Sequence, residues 1–407
     1  MRKKSLCKVV LLGFLFTLFL GLHNVSLAAE PYVIGFIADI TGPASSFYYP
    51  EAEGFRLYIE QVNAQGGING HPVKLVMEDA KSDPARSAAI AKKMIENDKV
   101  LGIFGLGLSS SQLPVFELAT KAGVPVVCGY TCAVNTYKVK PGNVVFAMGV
   151  VMTQEFHSAG FAFAKIVEMG YPKTAKIGLS GYATPGGRIW TEWTKERLQK
   201  AGYTIAYESH IPPGTIEFSP WVNNIAKINP AVCTHAEGGE ILIPLGPALE
   251  KAGYTKDLLL PYGVIERDVE KMKAGLMGNG EWITWATRYA AAYDSESIPE
   301  YKNLKKAMDK FGHQIPLSAM HASGWTIARV VEAALSKAGW PGTRANLLAA
   351  LEKTNLDSRG LTGGPIRFTQ TDHHGPMWWK VYRWNDTKKA LVSTSAWFKL
   401  EPSEIVR

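Results

Sequence analysis

Residues 100–128 read VLGIFGLGLSSSQLPVFELATKAGVPVVC, and the parsing of this stretch decides the fold. Val100–Leu106 is a short apolar run, as expected of a buried strand. Ser109–Lys121 reads as a helix stopped by Gly123, and Val124–Cys128 is a second apolar run. A strand, a helix and a strand in that order form a crossover unit with the two strands parallel. Three serines stand where the buried strand gives way to the helix. Serine is a good N-cap, and a helix start carries N–H groups without carbonyl partners and a partial positive charge. We read Ser109 as the cap, with the N–H groups of Ser110, Ser111 and Gln112 free to meet an anion. A plain capped helix with no ligand fits the same residues equally well.

The same alternation extends outward on both sides. Tyr32–Ala38 is an apolar strand, and Pro50–Gln65 has Ala52, Phe55, Ile59 and Val62 at helical spacing before the Gly66-Gly67 stop. Pro72–Glu78 alternates like a half-buried strand, and Ser82-Asp83-Pro84 opens a helix running to about Asn97. The pattern restarts with strand Val144–Met148, helix Thr153–Met169, strand Lys176–Ser180 and helix Pro185–Ala201. Strands Thr204–Glu208 and Ala231–His235 follow, with helices near Ser219–Ile228 and Glu240–Ala252. A helix-rich segment and a β tail close the chain, around the turn-like TDHHGP at 371–376. The fold class is α/β, with two Rossmann-like lobes and a cleft between them where ligands meet the carboxyl ends of strands.

The first residues bear on compartment. Arg2, Lys3, Lys4 and Lys8 precede the apolar run Val9–Leu22, and small residues follow, so 1–29 reads as a signal peptide cleaved after Ala28 or Ala29. Without it the formal net charge of +8 falls by half. No basic block is interleaved with aromatics, which argues against nucleic acid. Cys128, Cys132 and Cys233 remain, and spacing alone does not say whether Cys128 and Cys132 pair.

Catalytic constellations are scarce. Gly105-Leu106-Gly107 follows a strand, but Ser110 stands where the dinucleotide fingerprint needs its third glycine. There is no GxxxxGK[ST], HExxH, CxxC or GxSxG. Asp372-His373-His374 reads as a solvated turn in preference to a metal site. His235 follows an apolar strand and reads evenly as a ligand contact or as a hydrogen-bonded structural histidine. We expect no enzyme, no cofactor and no metal.

The mature chain resembles the periplasmic solute-binding proteins of ABC importers, type I fold, branched-chain amino acid class. The segments that carry the resemblance are YVIGFIADITGP (32–43), EGFRLYIEQVNAQGGINGHPVKLV (53–76), EDAKSDPARSAAIAKKMI (78–95) and GLSSSQLPVFELATKAGVPVV (107–127), in that order. The resemblance implies lobes of 30–149 plus 288–357 and of 150–287 plus 358–407. It implies that Ser109, with Ser110 beside it, binds a ligand carboxylate, and that Tyr130, Thr131 and Cys132 form the next ligand loop. Cys132 stands where a threonine is usual. Phe47 matches an aromatic of the first loop that covers the ligand. Tyr182 and Thr184 lie in the loop of the second lobe that supplies an aromatic wall, and Glu237 lies near another. The usual glutamate for an α-ammonium falls near Val264, with Glu266 two residues on. The cysteine pair of some relatives is replaced by Ser82 and Leu108.

We expect a small carboxylate-bearing solute, amino acid-like or an aromatic or apolar acid; the departures favour the latter, with Phe47, Tyr48, Tyr49, Tyr130, Tyr182 and Trp285 as walls. The expected partners are a small-molecule ligand and an ABC permease in the inner membrane, with the receptor a periplasmic monomer. The alternatives are a periplasmic ligand sensor of the same fold, or an exported α/β enzyme using His235 and Glu237.

Overall fold

The computed structural model describes residues 29–133, 140–151, 166–167, 169–236, 242–254, 256–259, 266, 284–375, 378–385, 387–388 and 390–399. The segment read as a signal peptide, most of the helix expected at 153–169, Glu237 and Val264 lie outside them.

Strand β1 (Tyr32–Ala38) is a near-continuous apolar run buried along almost its whole length, the signature of a parallel strand covered on both faces. It pairs in parallel with β2 (Val73–Asp79) on one side and β3 (Ile103–Gly105) on the other. Strands β4 (Val126–Cys128) and β6 (Val145–Ala147) complete the sheet in the order β2-β1-β3-β4-β6. Between β4 and β6 the chain makes the short strand β5 (Thr131–Cys132), which pairs with β7 (Val150–Val151). The second sheet has β8 (Lys176–Tyr182), β9 (Thr204–Ile211), β10 (Val232–Ala236) and β11 (Asp257–Leu259) in the order β11-β10-β8-β9. Both sheets therefore place their second strand outside the first and their third on its other side. The order in which strands are added reverses between β1 and β3, and again between β8 and β10. In open α/β sheets ligands bind at that switch, off the carboxyl ends of the strands.

Helix α1 (Ser45–Ala64) packs along α8 (Ala319–Ala338) over the first sheet. Phe36 and Phe104 meet Phe55 at ring-centroid distances of 4.6 and 5.9 Å, and Trp325 is fully buried beside them. Fully burying an apolar side chain of this kind contributes about 1.5–3 kcal/mol. Helix α2 (Pro84–Glu96) starts as its sequence dictates, with Asp83 accepting from the Arg86 N–H at 2.9 Å and proline in the first turn. Helix α3 (Ser109–Ala122) ends on Gly123 in the left-handed conformation. In the second lobe, α4 (Pro185–Lys200), α5 (Ser219–Ile228) and α6 (Leu242–Lys251) cover the sheet. Helices α7 (Pro299–Phe311) and α9 (Arg344–Leu351) join α8 on the first lobe.

Two side chains between the second sheet and α7 reach back to the chain that follows β6. Arg288, fully buried, donates to the Gly149 carbonyl at 2.6 Å, approaches His374 Nε2 at 3.2 Å and lies over the Trp379 ring at 4.9 Å. The adjacent Tyr289 hydroxyl donates to the Met148 carbonyl at 3.0 Å.

Two expectations change. Helix α1 begins at Ser45, not at Pro50, so Phe47, Tyr48 and Tyr49 lie on its first turns and not in a covering loop. His373 and His374 are buried, not solvated. The His373 carbonyl accepts from the Ala147 N–H, extending the first sheet, while its ring stacks on Phe146 at 3.8 Å. Leu361, Ile366 and Phe368 share the buried cluster of Phe36, Phe55 and Trp325. Apolar contact across the sheet edge outweighs the polar look of TDHHGP.

Candidate functional site

The loops at the carboxyl end of the first sheet are held by two buried acids and an amide. Asp39, directly after β1, accepts from the Ser82 N–H at 2.8 Å and the Leu108 N–H at 3.2 Å. It is fully buried, and burial raises its pKa against these hydrogen bonds. Glu51 on α1 accepts from the Tyr130 N–H at 2.9 Å and the Ser323 hydroxyl at 2.7 Å, and burial pushes its carboxyl up to about 7. Gln112 donates to the Gly107 carbonyl at 2.7 Å and the Thr131 carbonyl at 3.1 Å, and accepts from the Ala133 N–H at 2.7 Å. A Cβ on Gly107 would collide with the Asp39 carboxylate, and one on Gly129 with the Glu51 carboxylate. Glycine at these two places lets each acid reach the backbone it supports.

This frame positions the serines differently from the expected cap. Leu108 is the N-cap and Ser109 is the first helical residue, with no side-chain cap. The Leu108 N–H is already taken by Asp39, which fixes the turn one residue earlier. Ser111 N–H donates to the Leu108 carbonyl at 2.8 Å, which leaves the amides of Ser109 and Ser110 as the unpaired ones of the first turn. Ser109 is 1% exposed and its hydroxyl has no hydrogen-bond partner. A buried unpartnered polar group costs about 1–3 kcal/mol.

Around this helix end the structure gathers aromatic side chains from both lobes. Phe47, Tyr48, Leu108, Tyr130, Tyr182 and Tyr289 belong to one buried apolar cluster. Phe47 meets the Tyr130 ring edge-on at 4.7 Å, and the Tyr48 hydroxyl lies 2.9 Å from Thr131 Oγ1. Helix α3 touches α4 of the second lobe. Of the other expected positions, Cys132 is buried beside Cys128, and Tyr49 turns outward to donate to Gln314 at 2.7 Å. Thr184 is the N-cap of α4, accepting from the Gly187 N–H at 3.2 Å.

The second lobe contributes neutral polar groups. Ser209 donates to Ser180 at 3.3 Å, and Ser180 Oγ lies 2.9 Å from His235 Nδ1. If the Ser180 hydroxyl donates to Nδ1, the His235 proton sits on Nε2; that nitrogen is buried and has no partner. Desolvation holds this imidazole neutral, down to a pKa of about 3. Its ring lies edge-on to Tyr182 at 6.3 Å. Glu266 is buried and accepts from the N–H groups of Ala292 at 2.6 Å and Ala319 at 3.1 Å, so it serves the start of α8.

Sequence reading passed over Asp39, Glu51 and the side chain of Gln112, of which it used only the backbone N–H. A signal was present for Glu51: with Phe55, Tyr58 and Val62 it falls on one stripe of α1, an acid on an apolar face. Among the described residues no group of three or more His, Cys, Asp or Glu is placed to hold a metal, and no helix is long and apolar enough to cross a membrane.

Known proteins are similar to this chain in sequence or in fold. A Leu/Ile/Val-binding protein homolog of Brucella melitensis is 22% identical over 367 residues, covering 89% of this chain and 94% of the relative. An amino acid binding protein of Pseudomonas aeruginosa is 26% identical over 277 residues, covering 67% of this chain and 71% of the relative. A Thermus thermophilus branched-chain amino acid ABC transporter structure with bound valine aligns with TM-score 0.78 at 16% identity, covering 92% of this chain and 98% of that one. A solute-binding protein of an R. palustris ABC transporter in complex with 4-hydroxybenzoate aligns with TM-score 0.73 at 21% identity, with the same coverage. The sequence profile described as periplasmic binding protein matches residues 31–389, and the chain belongs to that family, with its type I two-lobed fold.

Proposed function

We propose that this protein is the solute-binding component of an ABC importer, and that it captures a small apolar or aromatic carboxylate between its lobes and presents it to a membrane permease. The observation that carries the reading is the buried, unpartnered Ser109 hydroxyl at a helix start whose first amides are also free. A carboxylate satisfies all of them at once and gains from the helix dipole. The walls would be Phe47, Tyr48, Tyr130 and Tyr182, and the His235 Nε2–H supplies a donor from the second lobe. Glu266 already accepts two backbone N–H groups, which favours an acid without an ammonium group over an α-amino acid. Residues 1–29 would direct export. The enzyme alternative loses support because burial holds His235 well below the range of a base acting near neutral pH.

The test is binding of matched neutral and anionic solutes by thermal shift and calorimetry. We expect benzoate or 4-hydroxybenzoate to raise the melting temperature, and benzamide to bind at least about tenfold more weakly. Leucine binding with no response to either aromatic acid would move the ligand class to amino acids. Equal binding of benzoate and benzamide would remove the carboxylate from the site.

A further inference from the structure

Cys128 closes β4 and Cys132 closes β5, with Gly129, Tyr130 and Thr131 between them. Both side chains are fully buried and their sulfurs lie 2.9 Å apart, within about 1 Å of the ~2.05 Å of a disulfide bond. Every residue of the intervening loop is pinned. Gly129 N–H donates to the Gly105 carbonyl at 2.8 Å, Tyr130 N–H to Glu51 at 2.9 Å, and the Thr131 carbonyl accepts from Gln112 at 3.1 Å. The sulfurs are therefore brought together by the frame, not by a chance meeting of two loose side chains. Cys233 lies on β10 of the other lobe, against Gly178, so among the described cysteines this is the one pair in contact.

We propose that Cys128 and Cys132 form a disulfide that ties off the loop carrying Tyr130 and Thr131, and that the bond is made while the chain folds, by exchange with a disulfide-bearing oxidant. One cysteine, as thiolate, attacks the oxidant's S–S bond and releases one oxidant thiolate. The other cysteine then attacks the mixed disulfide at the first cysteine's sulfur and releases the second. The two protons lost by the cysteines end on the two released thiols. The pair gives up two electrons and the oxidant's disulfide takes them. Folding sets the timing, because exchange needs an accessible thiolate. In the folded protein both sulfurs are sealed from solvent and burial pushes the Cys128 thiol well up. The same seal protects the bond, once made, from reductant. The proposal goes beyond the ligand reading and does not depend on it.

The test unfolds the reduced protein and refolds it in a mixture of reduced and oxidised glutathione, then alkylates it in denaturant without reductant. We expect the peptide holding both Cys128 and Cys132 to lack two hydrogens and to carry no alkyl group, while Cys233 is alkylated. Refolding with dithiothreitol instead should leave all three alkylated. Cys132→Ser should leave Cys128 open to alkylation in either buffer. The melting temperature of the wild type, but not of Cys132→Ser, should fall when refolding is done under reductant. Full alkylation of Cys128 and Cys132 after refolding with glutathione, or a link from either to Cys233, overturns the proposal.

Discussion

The two lobes share a sheet order but hold their halves of the site by different means. On the first lobe, Asp39 and Glu51 are buried acids that grip backbone N–H groups of the Leu108 and Tyr130 loops. On the second, the Ser209–Ser180–His235 chain is neutral throughout. The difference teaches that one half is braced by buried acids gripping backbone amides, and the other by an uncharged chain of hydroxyls and an imidazole. It also gives Glu51 and His235 opposite responses to pH.

Breaking the first lobe's brace should have the largest effect. Glu51→Ala leaves the Tyr130 N–H and the Ser323 hydroxyl without partners and opens a cavity, and we expect a loss of roughly 3 kcal/mol in urea unfolding. Ser180→Ala on the second lobe should lower stability by about 1 kcal/mol. Equal losses would erase the contrast.

The pH dependence sharpens it. The Glu51 carboxyl is raised to about 7 in the fold against 4.5 unfolded, so between these values the native state keeps a proton that the unfolded chain has released. Its contribution therefore falls as pH rises from 4.5 to 7, by up to about 3 kcal/mol, and then levels. Glu51→Gln should flatten that decline in melts taken from pH 5 to 8. His235 works the other way. Its folded pKa of about 3 lies below the unfolded 6.5, so stability is present above 6.5 and lost as pH falls towards 3. His235→Gln should reduce the acid-side loss, with a remainder from His373, which burial lowers to about 4.

Smaller effects separate holding a ligand from holding the fold. Ser109→Ala removes a buried hydroxyl with no protein partner, so the ligand-free protein should lose no stability and gain up to about 1–3 kcal/mol, while calorimetry should show benzoate affinity falling about tenfold. Tyr48→Phe removes the contact to Thr131 and should lower stability by about 0.5–1 kcal/mol.

The sequence by itself determined the elements and their order. Apolar runs such as Tyr32–Ala38, the Asp83-Pro84 helix start and the Gly123 stop are local, and local backbone preferences act on them directly. From these alone come parallel sheets, two lobes and a switch point beside the three serines. Only the tertiary structure decided what the site's neighbours do. Ser109 is not the cap because Asp39, far away in sequence, takes the Leu108 amide and shifts the helix start. Glu51 serves the Tyr130 loop because α1 lays it beside Gly129, where no Cβ stands in the way. His373 and His374 are buried because the first sheet offers them an edge and Phe146 a face. Each outcome depends on desolvation and on partners distant in the chain, and a polar residue's own neighbours in sequence do not encode whether it will be buried with a partner or left in water.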